Sequence, residues 1–458
     1  MSIKEHDKVT GRRRIDDTRQ ACGLPATFVL VLLASLYSVA RGQSSDSLRV
    51  DQVIRDVISH NDRITAARYM EDAAKAKVAP AGAWDDPMLM LGVTNLPTSF
   101  DFTMDPMTMK MIGISQTIPY AGQKGLEAKA AGAEASAAQQ DRFATEVDMA
   151  MAARSAFADL YYRTRSLADL TAQYELLQEV VASAKSKLVT NSASQDEVLG
   201  AQAEQWRLEN QLLEADHMVD DARYNLNLLR GVDVNAQLPP LAAPNPGIPP
   251  NTPDGFLTAA KENFPPLRRL SYQAQSYAFS SSAARRMSWP MLNLQATYGF
   301  RTGSDLSMTT GMFESRDNMV GFQANISLPI FAGRQQKKMA LSMDAMRRSV
   351  DAEAAQKWRE VEARIRVLHT TALHLVQTIA SYRDRIIPAT QDAFQSALAG
   401  YATNRVPFTN VLMFASNVYQ DRLALNQFSN QLVRTMAEID SYTVDPKSYA
   451  GEPSERNQ

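Results

Sequence analysis

The stretch ISQTIPYAGQKG (residues 114–125) changes character halfway along. Up to Ile118 it reads as a strand, and after Gly122 the pattern is helical for about 65 residues. ISLPIFAGRQQK (326–337) makes the same change about two hundred residues later. Pro119 removes an amide donor and ends strand pairing, while Gly122 relaxes the backbone where the helix begins. Pro329 and Ala332-Gly333 answer Pro119 and Ala121-Gly122.

Other echoes keep the same order. HNDRITAARYMEDAAKAK (60–77) is matched by ENFPPLRRLSYQAQSYAF (262–279), with Asn61 over Asn263, and PMLML (87–91) by PMLNL (290–294). TNSASQDEVL (190–199) is matched by TNRVPFTNVL (403–412). A slowly drifting offset of this kind is what two copies of one unit show once loops have changed length. The expected organisation is therefore a first repeat over 43–237, a linker over 238–253, a second repeat over 254–441 and a polar tail over 442–458. Each repeat holds a helix of about 30 residues (47–78; 254–286), two strands (within 87–118 and 289–328) and a helical hairpin (122–231; 333–441). The linker contains seven prolines, which argue against helix and for a stiff connection.

In 318–328, Val320, Phe322, Ala324, Ile326 and Leu328 share one face, and Gly321, Gln323, Asn325 and Ser327 the other. Strand 289–300 sets Leu292, Leu294, Ala296, Tyr298 and Phe300 against Asn293, Gln295, Thr297 and Gly299. A soluble sheet with one face on a core is one reading. Yet isolated hairpins are marginally stable, and four strands are too few to close a barrel. Pooling strands between copies resolves both problems, with the apolar face to lipid and the polar face to a lumen. Met88, Met90, Met109, Met111, Met291 and Met319 fall on the polar face, where thioethers suit soft cations or fill gaps in packing. The helical segment 153–188 carries two seven-residue series: Ala153, Leu160, Leu167, Tyr174, Val181, Leu188, and Ala156, Arg163, Leu170, Leu177, Ala184. A period of 3.5 implies coiled-coil packing.

The formal net charge of −2 does not suggest a nucleic-acid partner. LPATFVLVLLASLYSVA (24–40) follows Arg12-Arg13-Arg14 and reads as a secretory signal peptide spanning 1–42; an N-terminal anchor is the other reading. Cleavage would remove Cys22, the sole cysteine, and with it any disulfide or thiolate metal site.

These motifs resemble the TolC-like outer-membrane efflux protein family over nearly the whole chain after residue 42. IPYAGQK and LPIFAGRQ match the family's strand-to-helix junction, and Asp196–Ala201 and Thr409–Phe414 match its hairpin tips. FDFTMDPMTMKMIGISQTIPYAGQK looks closest to the heavy-metal (CzcC-like) branch. The resemblance implies a mainly α fold with a β-barrel part. A homotrimer would form a 12-stranded barrel in the outer membrane, continuous with a 12-helix periplasmic tunnel. It also implies a periplasmic adaptor and an inner-membrane pump of the resistance-nodulation-division type as partners. Ser194, Asp196, Glu197, Val198, Thr409, Asn410, Val411 and Met413 become the candidate gate and docking tips. Relatives close the entrance with acidic rings at the positions of Asn410 and Met413, and neither is acidic here.

No catalytic constellation or cofactor motif is legible. His60, His217, His369 and His374 are scattered, and His369 and His374 miss the i, i+4 spacing of two ligands on one helix face. Two classes remain: a non-enzymatic efflux channel, and a soluble periplasmic coiled-coil protein of the adaptor kind. An adaptor would carry one hairpin between β-rich modules, whereas this chain carries two hairpins and two strand pairs.

Overall fold

The computed structural model describes residues 47–190, 193–306, 308 and 311–449. The signal segment with Cys22, positions 191–192 of the first tip and the tail beyond 449 lie outside them. Helices α1 (Val50–His60), α2 (Asp62–Ala76) and α3 (Val78–Gly82) lead into β1 (Met88–Thr94) and β2 (Met109–Ile118). Two long helices follow, α4 (Gln123–Val189) and α5 (Gln195–Arg230). After the proline-rich segment come α6 (Asp254–Asn263), α7 (Pro265–Arg286), β3 (Leu292–Arg301), a small hairpin of β4 (Ser304–Leu306) and β5 (Phe313–Ser315), and β6 (Met319–Ile326). The chain then runs through α8 (Gln336–Ser381), a π turn (Tyr382–Ile386), α9 (Ile387–Ala402) and α10 (Phe408–Thr443).

The leading segment of each half is two helices where the pattern suggested one. At Asn61 the backbone is extended, and the side-chain oxygen accepts from the Arg63 amide (3.0 Å), capping α2. Its Nδ2 donates to the Leu229 carbonyl (2.9 Å) at the end of α5. In the second half Pro265 and Pro266 cannot extend the α6 hydrogen-bond ladder, and Phe264 is extended. Asn263 Nδ2 donates to the Thr443 carbonyl (2.9 Å) at the end of α10. So an asparagine at the break ties each leading segment to the last helix of its own hairpin. Gly231 closes α5 at φ +67°, and a Cβ there would lie 2.7 Å from the His60 carbonyl oxygen, so only glycine fits this approach.

α4 holds 67 residues, about 100 Å of helix at 1.5 Å per residue. Its buried Ala153, Leu160, Leu170, Leu177, Val181 and Ala184 are members of the two heptad series. It starts at Gly122, with φ +77°. Gly333 has no positive φ; the second junction instead bends through turns over 330–335. The other long helix is interrupted. Pro388 has no amide to give the Asp384 carbonyl, and the Ile387 amide reaches back five residues to Tyr382, which makes the π turn.

The four main strands form one antiparallel sheet in the order β1-β2-β3-β6. Its register places Leu91, Ile112, Tyr298 and Val320 in one row of one face, and Gly92, Met111, Gly299 and Met319 in a row of the other. β1 and β6 each have a free edge. The apolar face is bare: Leu91 is 73% exposed and Phe322 83%. On the central strands the polar face is the sheltered one, with Ser115 only 5% exposed. Lys110 lies on the apolar face next to its loop-side end, and its ammonium sits over the Phe102 ring (4.7 Å). At that end two arginines fasten the loops. Arg301 donates to the Pro106 carbonyl from two nitrogens, and Arg316 reaches Asp305 and the Thr103 and Thr302 carbonyls.

The helical cores follow the same plan twice. Val53, Ile54, Val57 and Ile58 of α1 pack on α4 and α5 around Phe157 and Leu226. Phe256 and Ala260 of α6 pack on α8 around Ile365 and Leu368. Where α2 crosses α4, Arg142 Nη1 reaches Glu146 (2.7 Å) and its Nε reaches Glu71 (2.5 Å), while Lys75 also reaches Glu71 (2.6 Å). Burial alone would push the Glu71 carboxyl up. Hydrogen bonds and charge from Lys75 and Arg142 outweigh it and hold the group below its usual range.

Glu71→Gln is expected to destabilise the protein by roughly 1–3 kcal/mol at pH 7, because it withdraws one ionic partner from a sheltered arginine. A group with a lowered folded-state pKa contributes stability above its unfolded value and loses it as pH falls through the folded value. Denaturation midpoints of the two proteins should therefore converge on acidification below the usual 4.5. A gap unchanged at pH 3 would assign the effect to packing.

Candidate functional site

Two regions collect the candidate residues. On the polar face of the sheet, Ser115 Oγ donates to Asn293 Oδ1 (3.2 Å), and Asn293 Nδ2 donates to Thr117 Oγ1 (3.0 Å). Met109, Met111 and Met319 occupy the loop-side part of this face, and glycines give them room. Gly299 pairs with Met111 on one side and Met319 on the other, and Met109 Sδ lies where a Gly299 Cβ would clash. One thioether, that of Met109, thus packs on this glycine, and the other two methionines flank it in register. Met111 Sδ also accepts from Thr94 Oγ1 (3.3 Å). Met90 lies over Gly113, Met88 is exposed, and Met291 sits just before β3 with its amide on Ser327 Oγ.

The second region is the end of the two hairpins. A single apolar cluster joins them, from Leu177, Val181, Val198 and Ala201 of the first to Phe394, Tyr401, Phe408 and Val411 of the second. Val198 and Val411 are therefore interior residues that hold the tips together. Ser194, Asp196, Thr409, Asn410 and Met413 are exposed, and Glu197 is half-buried. The Ser194 hydroxyl and nearby backbone amides hold the Asp196 carboxyl below its usual range. Burial pushes the Tyr401 hydroxyl up, and the negative charge of Glu197 adds to the shift.

A bridge between the hairpins has no counterpart among the residues singled out from sequence. Lys187, in the last turn of α4, donates to the Tyr401 carbonyl and to Asn404 Oδ1 (2.8 Å), and its ammonium lies over the Tyr401 ring (4.1 Å). Asn404 adopts a left-handed conformation (φ 58°) just past α9. The Tyr401 carbonyl lies at a helix end, where it accepts from the Asn404 amide (3.1 Å) and, on its remaining lone pair, from the lysine. A contact spanning 214 positions leaves no local pattern; the sole cue was a lysine in a last helical turn.

Among the described residues no group of three His, Cys, Asp or Glu side chains is placed to hold a metal ion, and no helix is long and apolar enough to cross a membrane. His369 is buried and its Nε2 lies 2.7 Å from the Pro250 carbonyl, pinning the proline-rich segment to α8. No protein-family model matches the sequence, and no curated protein matches it. Solved structures do share its fold. CusC, described for its transmembrane channel formation, aligns at TM-score 0.72 and 16% identity, over 87% of this chain and 92% of that one. The outer membrane protein VceC of Vibrio cholerae aligns at 0.70 and 14%, over 86% and 96%. The outer membrane channel CmeC of Campylobacter jejuni aligns at 0.70 and 14%, over 88% and 86%. The chain thus has the mainly helical fold, with its sheet, of the TolC-like channels.

Lys187→Ala should free the end of α9. Losing a charge-assisted bond of about 1–2 kcal/mol predicts that amides 400–406 exchange hydrogen about fivefold faster or more. Unchanged exchange there would mean that the apolar cluster alone sets tip stability.

Proposed function

We propose that the chain is the outer-membrane channel of a tripartite efflux system, acting as a passive conduit and not as an enzyme. The observation that carries this reading is the sheet. Its apolar face is bare across four strands, both edges are free, and it is joined directly to helices about 100 Å long. Hydrocarbon accepts the apolar face but not unpaired edges, so three copies would close a 12-stranded barrel. Their hairpins would continue it as a 12-helix periplasmic tunnel. β2 and β3 hold 10 residues each, which suits a tilted strand crossing a bilayer in about 9–11 residues. An adaptor-like soluble protein would cover such a face.

The tips are the docking surface for a periplasmic adaptor, with a resistance-nodulation-division pump beyond it in the inner membrane. Ser194, Asp196, Glu197, Thr409, Asn410 and Met413 are the residues available there, with Asn410 and Met413 as neutral rings at the entrance. Cysteines at Ser194 and Thr409 should crosslink to the adaptor in cells, and the purified protein should be a detergent-dependent trimer. A soluble monomer, or crosslinks only from loops 97–106 and 301–317, would refute this. Divalent-cation block at the narrowest point should be weak, since neither Asn410 nor Met413 offers a carboxylate there. Strong block that Asn410→Ala removes would contradict the neutral entrance.

The substrate class we favour is soft heavy-metal cations, with small toxic compounds as the alternative. Met109 packs on Gly299, and Met111 and Met319 pair with it in register, on the face assigned to the lumen. Thioethers bind Cu(I)-like ions weakly enough to release them. Replacing Met88, Met90, Met109 and Met111 by Leu should lower copper and silver tolerance of cells at normal trimer levels. Unchanged tolerance would leave these residues a packing role.

A further inference from the structure

The end of the sheet that joins the helices is built differently in the two halves. In the second half, residues 333–349 contain Arg334, Lys337, Lys338, Arg347 and Arg348 against one acid, Asp344. Asp344 is already engaged by Arg285 (2.6 Å). All five basic side chains are exposed, as is Arg286 at the end of α7, and among the described residues none of these six forms an ion pair. In the first half, residues 122–138 hold two lysines and two glutamates, and Lys124 is paired with Glu127 (3.2 Å).

Exposed apolar side chains run into this cluster from the sheet. Leu328 continues the alternation of the bare face, and Ile330 and Phe331 follow it, all exposed. Trp289, beside β3, is exposed with the Arg286 guanidinium over its ring (5.7 Å). On α8, Lys337, Lys338, Leu341 and Arg348 share an arc of about 100°, away from the buried Ala340 and Val350. A band of apolar strand, then an aromatic residue, then unpaired cations is the order of layers met on passing from hydrocarbon to phosphate.

We propose that this collar binds the phosphate groups of anionic phospholipids, in the leaflet on the helical side of the membrane. The inference rests on the outer-membrane channel reading. Arginine and lysine match phosphate oxygens as donors, and four to eight such residues beside a spanning element form an anionic-lipid site. The asymmetry confines the site to the second half, so a closed trimer would carry three such sites.

The test compares lipid retention by the purified full chain using native mass spectrometry, with phosphatidylglycerol and phosphatidylcholine offered together. Wild type should retain phosphatidylglycerol preferentially. Lys337→Glu with Lys338→Glu should reduce that retention by about tenfold or more, since each basic residue contributes about fivefold. Lys337→Gln with Lys338→Gln should act in the same direction, and Lys124→Glu with Lys129→Glu should have no effect. Equal retention by the 337/338 variants and wild type would overturn the proposal, as would equal loss in the first-half control. Altered ion selectivity in reconstituted channels with unchanged retention would overturn it too, by placing the cluster on the pore. Failure of the wild type to insert into bilayers of either lipid is a separate result, because it removes the channel reading itself.

Discussion

A sheet edge carries a row of amide and carbonyl groups that water satisfies and hydrocarbon does not. The whole architecture answers to that constraint. The apolar residues of β1, β2, β3 and β6 share one bare face, which the proposed channel sets against lipid, yet β1 and β6 each end in an open edge. One chain has four strands in that sheet, and a barrel of four has no interior for side chains. In the proposed channel, pairing between copies keeps the apolar face outward with no unsatisfied edge. It also explains why serine, asparagine and threonine hydrogen-bond to each other on the sheltered face, instead of meeting an apolar core.

The helices solve a different problem, which is length. A helix of 67 residues buries little per turn, so its packing must be repetitive, and the period of 3.5 keeps one seam facing its neighbours throughout. Ends are where such a bundle would fray. The base of each hairpin is held by an asparagine side chain on a carbonyl, Asn61 on Leu229 and Asn263 on Thr443. The far ends share one apolar cluster and the Lys187 bridge.

Alternation over Val320–Leu328 and Leu292–Phe300, and the heptads of 153–188, were legible because they depend only on side-chain polarity at fixed spacing. The parity of the methionines on β2 agrees with the pairing of Met109 with Thr94 and Arg301. Breaks were harder to read. Asn61 looks like an ordinary helical residue until its partner on Leu229 is known, and the two prolines after Phe264 both end α6 and begin α7. Gly122 and Gly333 each follow an alanine shortly after a strand-ending proline, but only the first has a left-handed backbone. The tips were read by likeness, which could not separate the interior Val198 and Val411 from the exposed Asn410 and Met413. Lys187, Glu71 and Arg142 act through partners far along the chain, and polarity patterns carry no such information.

The two hairpins also differ in stiffness. α4 contains no proline, and its ladder runs unbroken from Gln123 to Val189. The second hairpin carries Pro388 and the π turn before it, leaving a helix locally short of a backbone bond. Helices bend where their ladder is interrupted, so the compliant point lies some way above the second tip. Below that point the chain is fastened again, by Phe394, Tyr401 and Phe408 in the shared cluster and by Lys187 on the Tyr401 carbonyl. The contacts of Lys187 with Tyr401, together with the shared cluster, therefore join the second tip to the first hairpin on the far side of the π turn.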